Sequence, residues 1–198
     1  MSNDSSDEAL IQAVRDGDVD QLSVLFRRYH RRLFDFFSRM NGSAAVSEDL
    51  VQEVFLRMLK YRRSFRDGNS FQKWMFQIAR NARLQHFNTH RFAPAEAAEL
   101  HRQSAPDLPP DRQFARAEEN DLLERALLRL PEDKRELLVL ARYQETPYDV
   151  IADWLEIDVG AVKVRVHRAM KELREILREL SGEAPCDVKK SSIDLQTT

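Results

Sequence analysis

From Leu22 to Met40 apolar side chains return at helical spacing: Leu22, Leu25, Phe26, Tyr29, Leu33, Phe36, Phe37 and Met40. The spacing persists for about five turns, which lays one apolar stripe along a helix. A strand would need alternation at every second residue. Asn41-Gly42 supplies the stop signal. The same period recurs through most of the chain and strand-like alternation is absent. With only 5 glycines in 198 residues, an all-α protein is the expectation.

The chain divides by pattern. Ser5-x-x-Glu8 reads as a capping box opening a short helix with Ala9, Leu10, Ala13 and Val14 on one side, and Gly17 ends it. Asp18-x-x-Gln21 then opens the long helix. Ser47 reads as the cap of a third helix that buries Leu50, Val51, Val54, Phe55, Met58 and Leu59 and leaves Asp49, Gln52, Glu53 and Arg57 outside. A polar loop from Arg62 to Asn69 follows, and Ser70 caps a fourth helix burying Phe71, Trp74, Met75, Ile78 and Ala82. These helices form a first domain over 1–92. Residues 93–119, with Pro94, Pro106, Pro109 and Pro110, read as a flexible linker. A second small helical domain covers 120–180, and 181–198 reads as a disordered tail.

Within the second domain, 146–177 has the pattern of two helices joined by a tight turn. Thr146-Pro147 starts the first, which carries Val150, Ile151, Trp154 and Leu155. Asp158 or Gly160 opens the second. Its inner side is Val162, Val166, Ala169, Met170 and Leu173, and its outer side is Lys163, Arg165, His167, Arg168, Lys171 and Arg174. This is the pattern of a helix-turn-helix with a basic second helix. It is equally the pattern of an ordinary hairpin with a solvated charged face, and the segment alone does not separate the two.

Charge distribution narrows the choice. The net charge is −2, yet residues 21–91 hold 14 Lys and Arg against five acids: Asp35, Glu48, Asp49, Glu53 and Asp67. A basic block in a nearly neutral chain points to a polyanionic partner. No apolar run has the length of a membrane span, and the acidic N-terminus does not resemble a signal peptide. A single cysteine, Cys186, excludes an internal disulfide and fits a reducing cytoplasm. No glycine-rich phosphate loop, metal-ligand spacing or activated nucleophile is legible. His86 and His90 lie four apart without a further ligand in view. Catalysis, cofactors and metals are therefore not expected.

Two stretches together carry a resemblance. EDLVQEVFLRMLKYRRSFRDGNSFQKWMFQIARNARLQHF is similar to region 2 of extracytoplasmic-function (ECF) sigma factors, and LPEDKRELLVLARYQETPYDVIADWLEIDVGAVKVRVHRAMKELR to their region 4. The resemblance implies a monomeric, two-domain cytoplasmic subunit of RNA polymerase that reads promoter DNA and is restrained by an anti-sigma factor. It implies that Asp49, Gln52, Glu53 and Arg57 dock on the clamp helices of the largest polymerase subunit. It assigns Phe65, Arg66, Asp67 and Asn69 to a pocket for a base flipped from the minus-ten element, with Arg80, Asn81, Arg83 and Gln85 facing that DNA. Trp74 is read chiefly as core. In the minus-thirty-five reader, Lys163, Val164, Arg165, His167, Arg168 and Lys171 face the major groove. Val164 stands where the family commonly has serine, so a thymine methyl becomes the matching contact. A stand-alone helix-turn-helix repressor is the main alternative, but such proteins dimerise on palindromes. A sigma-like mimic that sequesters a regulator would lose the basic readers that this chain keeps.

Overall fold

The computed structural model describes residues 5–91 and 113–182. Residues 92–112 and 183–198, which hold most of the expected linker (93–119) and tail (181–198), lie outside them. The described residues form eight α-helices and no strand: α1 (Asp7–Asp16), α2 (Gln21–Asn41), α3 (Ala44–Tyr61), α4 (Phe71–Arg91), α5 (Gln113–Arg129), α6 (Glu132–Leu138), α7 (Tyr148–Leu155) and α8 (Val159–Ser181). A 3-10 turn (Arg62–Ser64) follows α3, and a π-helical turn (Val139–Tyr143) extends α6. Among the described residues α5 covers part of the stretch 93–119 expected to be linker, from Gln113 onward.

α2 forms the centre of the first domain, packed on α1 and α3, while α4 lies across α3. Its stripe is buried as the periodicity requires, at Leu25, Tyr29, Leu33, Phe36, Phe37 and Met40. Phe26 is the exception, 41% exposed, because it lies at the edge of the stripe over a groove between α2 and α3. The Tyr29 hydroxyl donates to Asp7, which also pairs with Arg28 at 2.6 Å. Burial first, and this hydrogen bond second, hold the phenol far above the ordinary tyrosine range.

Several helix starts differ from the sequence reading. Ser6, not Ser5, caps α1, accepting from the Ala9 amide at 3.2 Å. Glu8 instead reaches across the domain and accepts from the Phe71 amide at 3.1 Å, so it helps to cap α4 together with Ser70. Ser43 caps α3 one turn earlier than expected. Ser47 is buried inside that helix, its hydroxyl donating to the Ser43 carbonyl at 2.6 Å. Thr146 is likewise buried and precedes α7 by two residues.

Gly42 closes α2 with φ +70°, and Leu128 of α5 rests on it. A Cβ there would lie 2.6 Å from Leu128 Cδ1. Glycine is favoured there by the left-handed backbone, while the Leu128 methyl, at the end of a flexible exposed side chain, would have to shift to admit a Cβ.

In the second domain α8 packs on α5, α6 and α7. Glu156, left-handed at φ 55°, ends α7, and Asp158 starts α8 by accepting from the Gly160 and Ala161 amides at 2.6 and 3.3 Å. Asp158→Ala should cost about 1 kcal/mol through the lost cap. Asp158→Ser should recover most of it, and urea unfolding of the full chain measures both. An unshifted midpoint for the alanine variant would show that the cap adds nothing.

Candidate nucleic-acid interface

The two domains are in contact. The π-helical turn at 139–143, closed by Gln144 N to Val139 O at 3.0 Å, carries Tyr143 and Gln144 onto α2. Arg32 donates through Nε to Gln144 Oε1 at 2.7 Å, and Gln144 Nε2 donates back to the Arg32 carbonyl at 3.1 Å. Arg39 lies over the Tyr143 ring, 4.3 Å from its centroid. Arg135 of α6 donates to the Met40 carbonyl at 2.6 Å, at the negative end of α2. Phe76 of α4 and Trp154 of α7 stack with centroids 4.9 Å apart. Lys73 pairs with Asp153 at 2.8 Å.

Three candidate surfaces sit on this frame. On α3, Asp49 and Gln52 are exposed, while Glu53 and Arg57 are half-buried and paired with each other at 2.5 Å. Leu56 lies in the same strip, 63% exposed. It was not singled out in the sequence, although its position was a signal. The buried set at 50, 51, 54, 55 and 58 places residue 56 on the outer face, where an apolar side chain needs a partner. An exposed leucine ringed by polar residues is a common form of docking centre.

The second surface is the 65–70 loop with α4. Arg66 and Asn69 are exposed. Asp67 is exposed but held by α1, accepting from Arg15 Nη1 at 2.7 Å and Gln12 Nε2 at 3.1 Å. Phe65 does not line an open pocket. It is 1% exposed and lies under Trp74, edge to face at 5.5 Å. Trp74 itself is half-buried and donates Nε1–H to Ser64 at 3.3 Å. The aromatic surface nearest solvent is therefore Trp74, with Phe65 as its floor.

Of the basic face of α4, Asn81 and Gln85 are exposed. Arg80 is exposed but pairs with Glu136 at 3.3 Å. Arg83 does not face solvent: it is 8% exposed, donates to Asn41 Oδ1 at 2.7 Å and pairs with Glu132. Glu136 is buried, which pushes its carboxyl up, and Arg80 and Arg83 oppose that shift.

The third surface is the outer face of α8. Lys163, Val164, Arg165, His167, Arg168 and Lys171 are all exposed, while Val162, Val166, Ala169 and Leu173 anchor the helix below. An open basic helix face backed by a second helix fits a major groove. Among the described residues no group of three or more His, Cys, Asp or Glu could hold a metal ion. Nor is any helix there long and apolar enough to cross a membrane.

Comparison with known proteins bears on both domains. Residues 25–92 match the family model for sigma-70 region 2, and residues 120–173 match that for sigma-70 region 4. The chain is 32% identical over 173 residues to the RNA polymerase sigma factor CarQ of Myxococcus xanthus, covering 87% of this chain and 98% of that one. It is 28% identical over 179 residues to the ECF RNA polymerase sigma factor SigW of Bacillus subtilis, covering 86% and 96%. Among solved structures, it is similar in fold to the sigma factor RpoE in complex with the anti-sigma factor NepR from Bartonella quintana. There the TM-score is 0.60 at 23% identity, over 81% of this chain and 97% of that one. It is also similar to CnrH in complex with the cytosolic domain of CnrY, with TM-score 0.63 at 23% identity, over 88% and 99%.

Proposed function

We infer, from the fact that this chain belongs to the ECF branch of the sigma-70 family, that it is the subunit through which RNA polymerase finds and opens a set of promoters. The observation that carries this reading is that region 2 and region 4 matches occur in one chain in that order, over 25–92 and 120–173. Its work is binding, not catalysis, and its place is the cytoplasm beside polymerase.

Asp49, Gln52, Glu53 and Arg57, with Leu56 at their centre, dock on the clamp helices of the largest polymerase subunit. Lys163, Arg165, His167, Arg168 and Lys171 enter the minus-thirty-five major groove. Each good Arg or Lys contact to guanine there contributes about 1–3 kcal/mol of discrimination. Val164, exposed on the same face, offers a methyl-sized apolar contact to thymine. Arg66, Asp67, Asn69 and the polar side of α4 (exposed Arg80, Asn81 and Gln85, with buried Arg83 beside them) take the melted minus-ten strand, with Trp74 over Phe65 as the aromatic support. Unstacking a base costs a few kcal/mol, which such contacts offset. Arg83 reaches DNA only after leaving Glu132. An anti-sigma factor is the expected restraint, in keeping with the similar fold of RpoE in complex with the anti-sigma factor NepR.

The exposed basic face of α8 argues against a sequestering mimic, and matches to both regions argue against a stand-alone repressor. Reconstitution with core polymerase and mapping of transcription starts tests the reading. Starts sharing two upstream elements are expected. Binding to palindromic DNA as a dimer, without any polymerase-dependent start, would overturn it.

A further inference from the structure

We propose that α1, which precedes the residues matching region 2, sets the shape of the 65–70 loop, with Gln12 and Arg15 as positioning residues for selection of a minus-ten base. The proposal rests on the minus-ten assignment of that loop made above.

Glu8, Gln12 and Arg15 stand at i, i+4 and i+7 on α1, so they form one polar stripe. The stripe fastens the loop at both ends and at its tip. Arg15 Nη1 donates to the Phe65 carbonyl at 3.4 Å and to Asp67 Oδ1 at 2.7 Å. Gln12 Nε2 donates to the same Asp67 oxygen at 3.1 Å. Arg15 Nε pairs with Asp16 at 3.1 Å, which fixes the direction of the guanidinium. At the far end Glu8 accepts from the Phe71 amide at 3.1 Å. Asp7 in turn holds α1 against α2 through Arg28 and Tyr29.

Between these ties the loop is a turn, closed by Asn69 N to Arg66 O at 3.2 Å with Gly68 at φ +83°. Such a turn fixes its own shape but not its orientation on the domain. The bonds to Asp67 supply the orientation. Arg66 and Asn69 are exposed, and their side chains make no hydrogen bond or ion pair among the described residues. Asp67 therefore serves the strand by holding the turn, and Arg66 and Asn69 read the base. An unpaired carboxylate there would repel the phosphates, and Arg15 offsets its charge. Exposed ties of this kind add little to stability. Their effect lies in aiming the loop.

The test uses holoenzyme reconstituted from core polymerase and the full chain. It transcribes templates in which each base pair of the upstream elements of one mapped promoter is varied in turn. Gln12→Ala with Arg15→Ala keeps good helix formers in α1, so the unfolding midpoint and polymerase affinity should not change. Preference at one minus-ten position should fall roughly fivefold, the effect of losing about 1 kcal/mol of orienting contact. Preference at the minus-thirty-five element should stay. Asp67→Ala should give the same fall, and the triple variant should add nothing, as for residues acting as one unit. Arg15→Lys should recover part of the preference. Loss with Asp67→Ala alone would make Asp67 a base contact and overturn the role of α1, as would additive losses or a fall spread equally over all positions. Minus-ten preference untouched even by Arg66→Ala with Asn69→Ala would instead overturn the loop assignment, and the positioning with it.

Discussion

Asp49→Lys combined with Glu53→Lys is expected to abolish binding to core polymerase while leaving helical content and the unfolding midpoint close to those of the unsubstituted chain. Asp49 is exposed and makes no ion pair among the described residues, and Glu53 contacts only its neighbour Arg57 one turn along. The fold loses that one pair and gains a like-charge neighbour, a cost of about 0.3–0.5 kcal/mol each. At an interface, like charges brought together cost several kcal/mol. A loss of about 3 kcal/mol lowers affinity roughly a hundredfold. Titration of labelled chain with core polymerase reads the effect directly. Holoenzyme forming at unchanged affinity would remove α3 from the docking surface. Leu56→Ala should weaken the same binding by less and leave stability unchanged, since its side chain is already in water.

The second large effect concerns stability. Phe37 is 0% exposed at the centre of the first domain, with its ring against Phe36 at 5.4 Å. Phe37→Ala should cost about 3–5 kcal/mol, the lost transfer of the ring plus the cavity it leaves. That is a large share of the whole stability of a small domain, about 5–15 kcal/mol. Urea unfolding followed by circular dichroism measures it. Phe26→Ala is the control: the two phenylalanines belong to one stripe in the sequence, but Phe26 is half in solvent and its loss should cost under about 1.5 kcal/mol. Equal costs for the two variants would contradict the difference in burial between Phe37 and Phe26.

The contrast between Phe26 and Phe37 marks how far a sequence pattern reaches. Period identifies a helix and the direction of its apolar side, because both depend on residues a turn or two apart. It does not give the width of the buried stripe, which depends on where the neighbouring helix lies. Ser43 and Ser47 illustrate the same point for caps. Both can cap locally, and the earlier one does so because α3 can then bury Val46 and Ser47.

Fold class, the order of the helices, the outer face of α3 and the open basic face of α8 follow from local spacing, and the sequence alone determines them. The fate of α4 does not. Arg80 and Arg83 read as solvent-facing because nothing within a few residues pairs with them. Their partners Glu136 and Glu132 lie about fifty residues away in the other domain. Phe65 reads as an accessible loop aromatic, but Trp74 of α4 lies against it and the ring is buried. Tertiary contact decides these cases because a guanidinium or a ring is indifferent to sequence distance: it takes whichever partner the assembled helices bring within reach.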